Sequence, residues 1–206
     1  MARVSQEHLA ARRRQILDGA ALCFARNGFH ATSMQEVLKE VDLSAGAVYR
    51  YFRGKDELIH ATVMEVLDDV RTAFETVGRQ TPLPPPYELV GTVMGEIHRE
   101  RPALRVDGAS CFPRLVVQVW SETLRNDDLA AVIQAGFDKV RAVWVEIVKG
   151  YQEAGTMRTD ADPDAVARTM VAAAQGFLIQ QALFGEVPIA TLQIGLRGLM
   201  SMGEVS

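Results

Sequence analysis

The stretch from Thr32 to Phe52, TSMQEVLKEVDLSAGAVYRYF, limits the possible folds more than any other part of the chain. Thr32 with Gln35 and Ser33 with Glu36 both fit capping-box spacing, so a helix starts within about one residue of Ser33. Only Asp42 and Leu43 then separate it from Ser44, which can cap a third, short helix. Met34, Val37, Leu38 and Val41 give the first of these helices an apolar side. Val48 and Phe52, four apart, do the same for the second. The preceding segment, from the N-cap Ser5 to the stop Asn27-Gly28, reads as a longer helix with Leu9, Ile16, Ala20 and Phe24 as its buried stripe. Two short helices joined by a tight turn and packed on a longer first helix make a helix-turn-helix, over about residues 33–52.

The outward side of that pair carries the chemistry. Ala45, Gly46 and Ala47 keep the start of the third helix slim, while Tyr49, Arg50, Tyr51 and Arg53 are left facing out. The chain has a net charge of −4, yet residues 1–55 carry nine Lys/Arg against five Asp/Glu, and residues 56–206 thirteen against twenty-one. A basic end on an acidic body points to an anionic partner at that end. The major groove of B-DNA, about 12 Å wide, admits one helix whose N-terminal side chains reach base edges. Arg50 is the candidate for a bidentate contact to guanine, worth ~1–3 kcal/mol of discrimination. Tyr49 and Tyr51 can give hydroxyls to phosphate or press on a thymine methyl. Thr32, Ser33 and Lys55 are expected to hold phosphates. Arg12, Arg13 and Arg14 are phosphate candidates that read equally well as solvated helix charges.

The rest of the chain also reads as helix, because apolar residues recur at helical spacing and no period-two run is sustained. A fourth helix begins near Gly54-Lys55 with Asp56 and Glu57 in its first turn and runs to about Val77. A linker follows at about 78–86, where Pro82, Pro84, Pro85 and Pro86 forbid a continuous helix. Further helices are expected at about 86–100, 111–125, 127–154 (capped by Asn126 or Asp127), from Asp162-Pro163-Asp164 to Gly185, and from Pro188 to about Met202. This gives an all-α chain of nine helices, divided at 54/55 into a DNA-binding part and a larger C-terminal part.

Two surfaces of the C-terminal part draw expectations. The eighth helix is apolar nearly all round, and small residues on it and on the ninth permit close approach of other helices. Read alone, this fits internal core as well as a subunit interface; because two-fold half-sites in DNA favour dimeric readers, a four-helix dimer interface is expected at Ala172, Ala173, Gly176, Gln180, Leu192, Gly195, Leu196 and Leu199. Met94, His98, Gln118, Trp120, Phe137, Trp144, Met170 and Phe177 are the candidates for lining a ligand pocket among helices four to eight, with core packing as the alternative for each. Gln181 is a further possible polar anchor.

Several function classes find no support. The sequence has no HExxH, no phosphate-cradling glycine loop, no GxSxG and no Cys/His cluster with metal spacing, and its four histidines (8, 30, 60 and 98) form no constellation. An enzyme is therefore not expected, and no cofactor is called for. No stretch approaches the ~20 apolar residues of a membrane span. The N-terminus lacks the apolar core of a signal peptide, and two cysteines without metal spacing fit a reduced compartment, so a cytoplasmic protein is expected.

The segment GFHATSMQEVLKEVDLSAGAVYRYFRGKDELI closely resembles the DNA-binding region of the Tet repressor (TetR) family of bacterial transcription regulators, through Gly28-Phe29, Thr32-Ser33, Ser44, Gly46, Val48-Tyr49, Phe52 and Lys55-Asp56-Glu57-Leu58. The resemblance covers about residues 9–60. It implies a homodimer of all-α subunits that binds a double-stranded DNA operator and lets go when a small-molecule effector occupies the C-terminal domain. Carried over residue by residue, it puts Thr32, Ser33, Ser44, Ala45, Gly46, Tyr49, Arg50, Tyr51 and Lys55 at the DNA. Asp42 stands where the family often has glycine, which requires a left-handed turn at an aspartate. Ala45 replaces a polar or basic residue, and Gly54 a capping serine. The alternative is a DNA-binding architectural or protein-recruiting factor that answers to no ligand, separated from the first reading by whether any small molecule weakens DNA binding.

Overall fold

Helices form where caps and apolar stripes call for them. The computed structural model describes residues 6–78, 82–100, 104–106, 108–185 and 187–201, and of residues 98–100 the backbone alone. Within these, the order is α1 (Gln6–Asn27), α2 (Met34–Val41), α3 (Ala45–Tyr49), α4 (Lys55–Gly78), α5 (Pro86–Glu100), β1 (Arg105–Val106), β2 (Ala109–Ser110), α6 (Phe112–Thr123), α7 (Asp127–Glu153), α8 (Pro163–Phe184) and α9 (Ile189–Met200). The expected cap at Ser5, residues 79–81 of the expected linker and the expected end at Met202 lie outside the described residues.

Local chemistry fixes the boundaries. Of the two possible capping boxes, the one at Ser33 forms: its hydroxyl accepts from the Glu36 N–H at 3.2 Å, and its own N–H donates to the Glu36 carboxylate at 2.7 Å. The turn after α2 is made by Asp42 at φ 52 and ψ 50, the only non-glycine with positive φ among the described residues. That is the left-handed conformation the family resemblance implied at this position. Asn126, rather than Asp127, caps α7 by accepting from the Leu129 N–H at 3.0 Å. Asp162 caps α8 with Pro163 in the first turn.

One element escaped the sequence reading. Between α5 and α6 a two-residue hairpin pairs Arg105 with Ser110 and Val106 with Ala109, turning at Gly108. Strands two residues long leave no alternation to detect.

The packing runs across the expected division at 54/55. α1 lies against α2, α4 and α6, and α4 in turn against α5 and α7. Buried side chains form one continuous cluster from Ile16 to Leu178. α1 and α2 approach so closely that a Cβ added to Gly19 would fall 2.3 Å from a methyl of Val41. Gln15 donates to the Val41 carbonyl at 2.9 Å, and Arg26 pairs with Glu40 at 2.8 Å, which fixes the angle between these helices. α4 is a rod of roughly 36 Å at ~1.5 Å per residue, reaching from α3 to the proline segment. That segment is anchored: the Tyr151 hydroxyl donates to the Pro84 carbonyl, and Leu83 sits against Gly150. Burial pushes the Tyr151 hydroxyl up to about 12, so it remains a donor at any ordinary pH.

Candidate nucleic-acid interface and interior cavity

Helix α3 stands with Val48 and Phe52 buried beneath it. Ser44, Ala45, Gly46, Tyr49 and Arg50 are exposed, Arg53 is exposed just beyond, and Tyr51 is half-buried against the core. A Cβ at Gly46 would meet nothing within 4 Å, so the start of α3 is open on its outer side. Ser44 caps α3 by accepting from the Ala47 N–H at 3.3 Å. This presents a slim helix start with a tyrosine and an arginine behind it.

Three of the expected phosphate holders instead build the scaffold of that surface. Thr32 is a correction: it is only 1% exposed, and its hydroxyl donates inward to the Gly28 carbonyl at 2.8 Å, with the Cys23 carbonyl at 3.3 Å. A side chain so buried closes the α1–α2 turn and has no path to a phosphate. Ser33 is exposed, but its hydroxyl is engaged with Glu36 in the cap, and the Ser33 backbone N–H, with the hydroxyl second, holds the Glu36 carboxyl below its ordinary range. Replacing Ser33 by alanine is expected to cost about 1 kcal/mol of stability, measured as a lower urea midpoint. The Lys55 ammonium donates to the carbonyls of His30 and Thr32, both at 3.2 Å, and so clamps the same turn to the start of α4. An ammonium has three donors, which leaves one free to reach a phosphate. Lys55→Ala is therefore expected to lower the melting temperature and to reduce the salt slope of DNA binding by about one, alike for all sequences. An unchanged slope would restrict Lys55 to the clamp.

The arginines of α1 have partners on the protein surface. Arg13 pairs with Glu65 of α4 at 2.9 Å and lies 5.4 Å from the centre of the Phe52 ring. Arg14 pairs with Asp18 at 3.2 Å and approaches Glu65 at 3.8 Å. Arg13 and Arg14 thus link α1 to α4, and Arg12 is engaged with Gln15 at 2.8 Å.

Below this surface, α4 to α8 enclose a cavity of about 110 Å³. Met94, Trp120 and Phe137, expected as pocket residues, lie in its wall, with the Trp120 and Phe137 rings 6.4 Å apart. Trp144, Met170 and Phe177 are buried in the core outside that wall. Trp144 stands edge-on to Phe74, and its buried indole N–H has no partner among the described residues. Gln181 donates to the Val187 carbonyl at 2.9 Å at the α8–α9 turn. The side chain of His98 lies outside the described residues. Sequence reading missed the α4 face of the wall, Val63, Val66, Leu67 and Val70, and Gln175 of α8. Val63, Val66 and Val70 recur at helical spacing in the sequence, but nothing in that spacing marks a void.

Gln118 is placed by the helix turn. At ~100° per residue, Phe112, Val116, Val119 and Trp120 share the cavity side of α6, and Gln118 is carried round to face α1. There it lies against Gly28, whose φ of +82 turns the chain from α1 towards α2. One turn on, the largely buried Glu122 lies 2.9 Å from His30. α6 thus meets the cavity on one side and the α1–α2 turn on the other.

A third surface runs along α8 and α9. Leu183, Phe184, Ile194 and Leu199 are exposed by 64, 80, 72 and 69%, beside Ile179 at 38%. Among the expected interface residues, Ala172, Gln180, Gly195 and Leu199 are exposed, and Ala173, Gly176, Leu192 and Leu196 are half-buried.

Comparison with known proteins places this geometry. Residues 16–62 match the profile of the bacterial regulatory proteins of the tetR family, and residues 111–197 match the C-terminal profile of BetI-type transcriptional repressors. The chain is a TetR-family transcriptional regulator. The first of these matches holds the helix-turn-helix, and the family's proteins are regulators of transcription and not enzymes. Over 65 residues it is 46% identical to the transcriptional repressor Rv1474c of Mycobacterium tuberculosis, a match that spans 32% of this chain and 35% of that protein. It is 23% identical to the transcriptional regulator UidR of Escherichia coli over 91% of this chain and 90% of that protein. Among solved structures, Salmonella enterica GusR superposes with a TM-score of 0.70 at 27% identity, covering 98% of this chain and all of that one. Among the described residues of this TetR-family chain, no helix is long and apolar enough to cross a membrane.

Proposed function

We propose that this regulator is a cytoplasmic repressor that binds a palindromic operator as a dimer and releases it when a small molecule enters the interior cavity. In this reading, residues 1–54 form the DNA-binding unit, and residues 55–206 carry the effector site and the dimer contact. Ser44, Ala45, Gly46, Tyr49, Arg50 and Tyr51 meet the groove, and the apolar faces of α8 and α9 pair two subunits. The observation that carries the proposal is the double contact of α6, and with it α4: each lines the cavity and each also lies against α1. A ligand that shifts either helix acts directly on the seat of the helix-turn-helix.

The two recognition helices of a dimer must fall about 34 Å apart, or a multiple, to enter successive major grooves together. A change of a few ångströms in that span loses one half-site. Coupling of ~1–3 kcal/mol between ligand and DNA would change occupancy by about 5- to 150-fold.

The test is a footprint of the purified protein on genomic fragments at physiological salt. A protected, roughly palindromic site is expected, and compounds related to the products of neighbouring genes are then screened for release. Identical operator affinity with and without a ligand that demonstrably binds the cavity would rule out the release mechanism. Arg50→Ala is expected to reduce both affinity and the preference among sequences, by ~1–3 kcal/mol at one base position. Selectivity that survives this change would mean that α3 lies in the groove differently.

A further inference from the structure

The wall of the cavity restricts what can occupy it. Among the described residues it is built from valine, leucine, isoleucine, alanine, methionine, glutamine and aromatic side chains of five helices, with no charged group among them. Two of the described wall side chains carry nitrogen or oxygen: Trp120, through its indole N–H, and Gln175. The half-buried Gln175 amide has no hydrogen-bond partner among the described residues. An amide offers both donors and an acceptor, and one with no protein partner is a point where an occupant gains by being polar. The cavity, at about 110 Å³, is of the class in which an apolar cavity of about 150 Å³ stays dry and takes up benzene.

We propose that the effector is uncharged, fills the cavity with an apolar body of about one ring, and presents a single hydrogen-bonding group to Gln175. This rests on the cavity being the effector site. A carboxylate or ammonium within this wall would lose its hydration and find no counter-charge among the described residues, which disfavours acids and protonated amines in the buried portion. Trp120 and Phe137, one from α6 and one from α7, lie 6.4 Å apart in mutual contact and give the wall an aromatic side. Gln175 then decides between rings that are alike in size.

Three probes of one shape test the chemistry: benzene, phenol and benzoate, titrated by calorimetry against the full-length protein in sealed cells. Benzene and phenol are expected to bind, with benzoate weaker by roughly a hundredfold. Gln175→Met keeps the length of the side chain and removes the amide. It is expected to leave benzene binding in place and to lower the phenol-to-benzene affinity ratio by roughly fivefold. The melting curve of the unliganded variant checks that it folds. In the wild-type protein, the line broadening of the Trp120 indole resonance on adding each probe gives a second reading of the same preference. No binding of benzene or phenol at millimolar concentration, or benzoate binding as tightly as phenol, overturns the proposal. An unchanged ratio in Gln175→Met overturns the part assigned to the amide. Probes that bind as expected yet leave operator affinity unaltered uphold the chemistry of the cavity, and the failure then belongs to the effector reading on which it rests.

Discussion

Replacing Ile194 by glutamate is expected to turn a dimer into monomers and to lower operator affinity by roughly a thousandfold, towards that of non-specific binding. Ile194 is 72% exposed in the subunit, so the substitution removes little from the subunit's own core. Only where a second copy covers α9 does the change bury a carboxylate among apolar side chains, at a cost of several kcal/mol. Leu199 on the same helix and Leu183 on α8 are likewise exposed apolar side chains. Sedimentation velocity reads the assembly state, and a binding isotherm on the operator reads the affinity. A variant that stays dimeric with full operator affinity would move the interface away from α8 and α9.

Phe24→Ala is expected to cost ~3–5 kcal/mol, a large part of the ~5–15 kcal/mol that holds a typical domain together. Phe24 is fully buried, and its ring meets Phe29 edge-on at 4.9 Å between centres. Its carbonyl also accepts from the Gly28 N–H at 2.8 Å, at the point where α1 hands over to the turn clamped by Lys55. The substitution therefore opens a void beneath the support of α2 and α3. Urea unfolding should show the loss directly, and DNA binding should fail at temperatures where the parent still binds. A loss below about 1 kcal/mol would mean that the site collapses around the missing ring, contrary to the packing seen there.

How much of this could be read from the chain depends on the range of each interaction. Caps and turns act within four residues, and they were legible: Ser33 with Glu36, left-handed Asp42, Ser44, and Pro163 after Asp162 all behave as their spacing implies. The hairpin at 105–110 was too short to leave a pattern. Thr32 looked like a phosphate contact because it precedes a helix. Its neighbour Ser33 takes the cap, which frees the Thr32 hydroxyl to turn inward and close the turn. Arg13 and Arg14 looked solvated or DNA-facing because their partner, Glu65, is more than fifty residues away. The pocket residues were half legible for a related reason. Periodicity tells which side of a helix is buried, but a void exists only where several buried sides fail to meet. Met94, Trp120 and Phe137 border such a place, while Trp144, Met170 and Phe177 do not. Gln175, an ordinary helix glutamine in the sequence, gains its interest only from what surrounds it.

The two-sided character of α6 has a consequence for how such a chain can change over generations. Phe112, Val116, Val119 and Trp120 look into the cavity, and Gln118 and Glu122 look towards Gly28 and His30. Substitutions on the first set can alter the shape of the void while the second set keeps its grip on the turn. Descendants of one ancestor could therefore diverge in chemical taste without having to reinvent the linkage to the helix-turn-helix, because the two properties are inherited on opposite sides of a single helix.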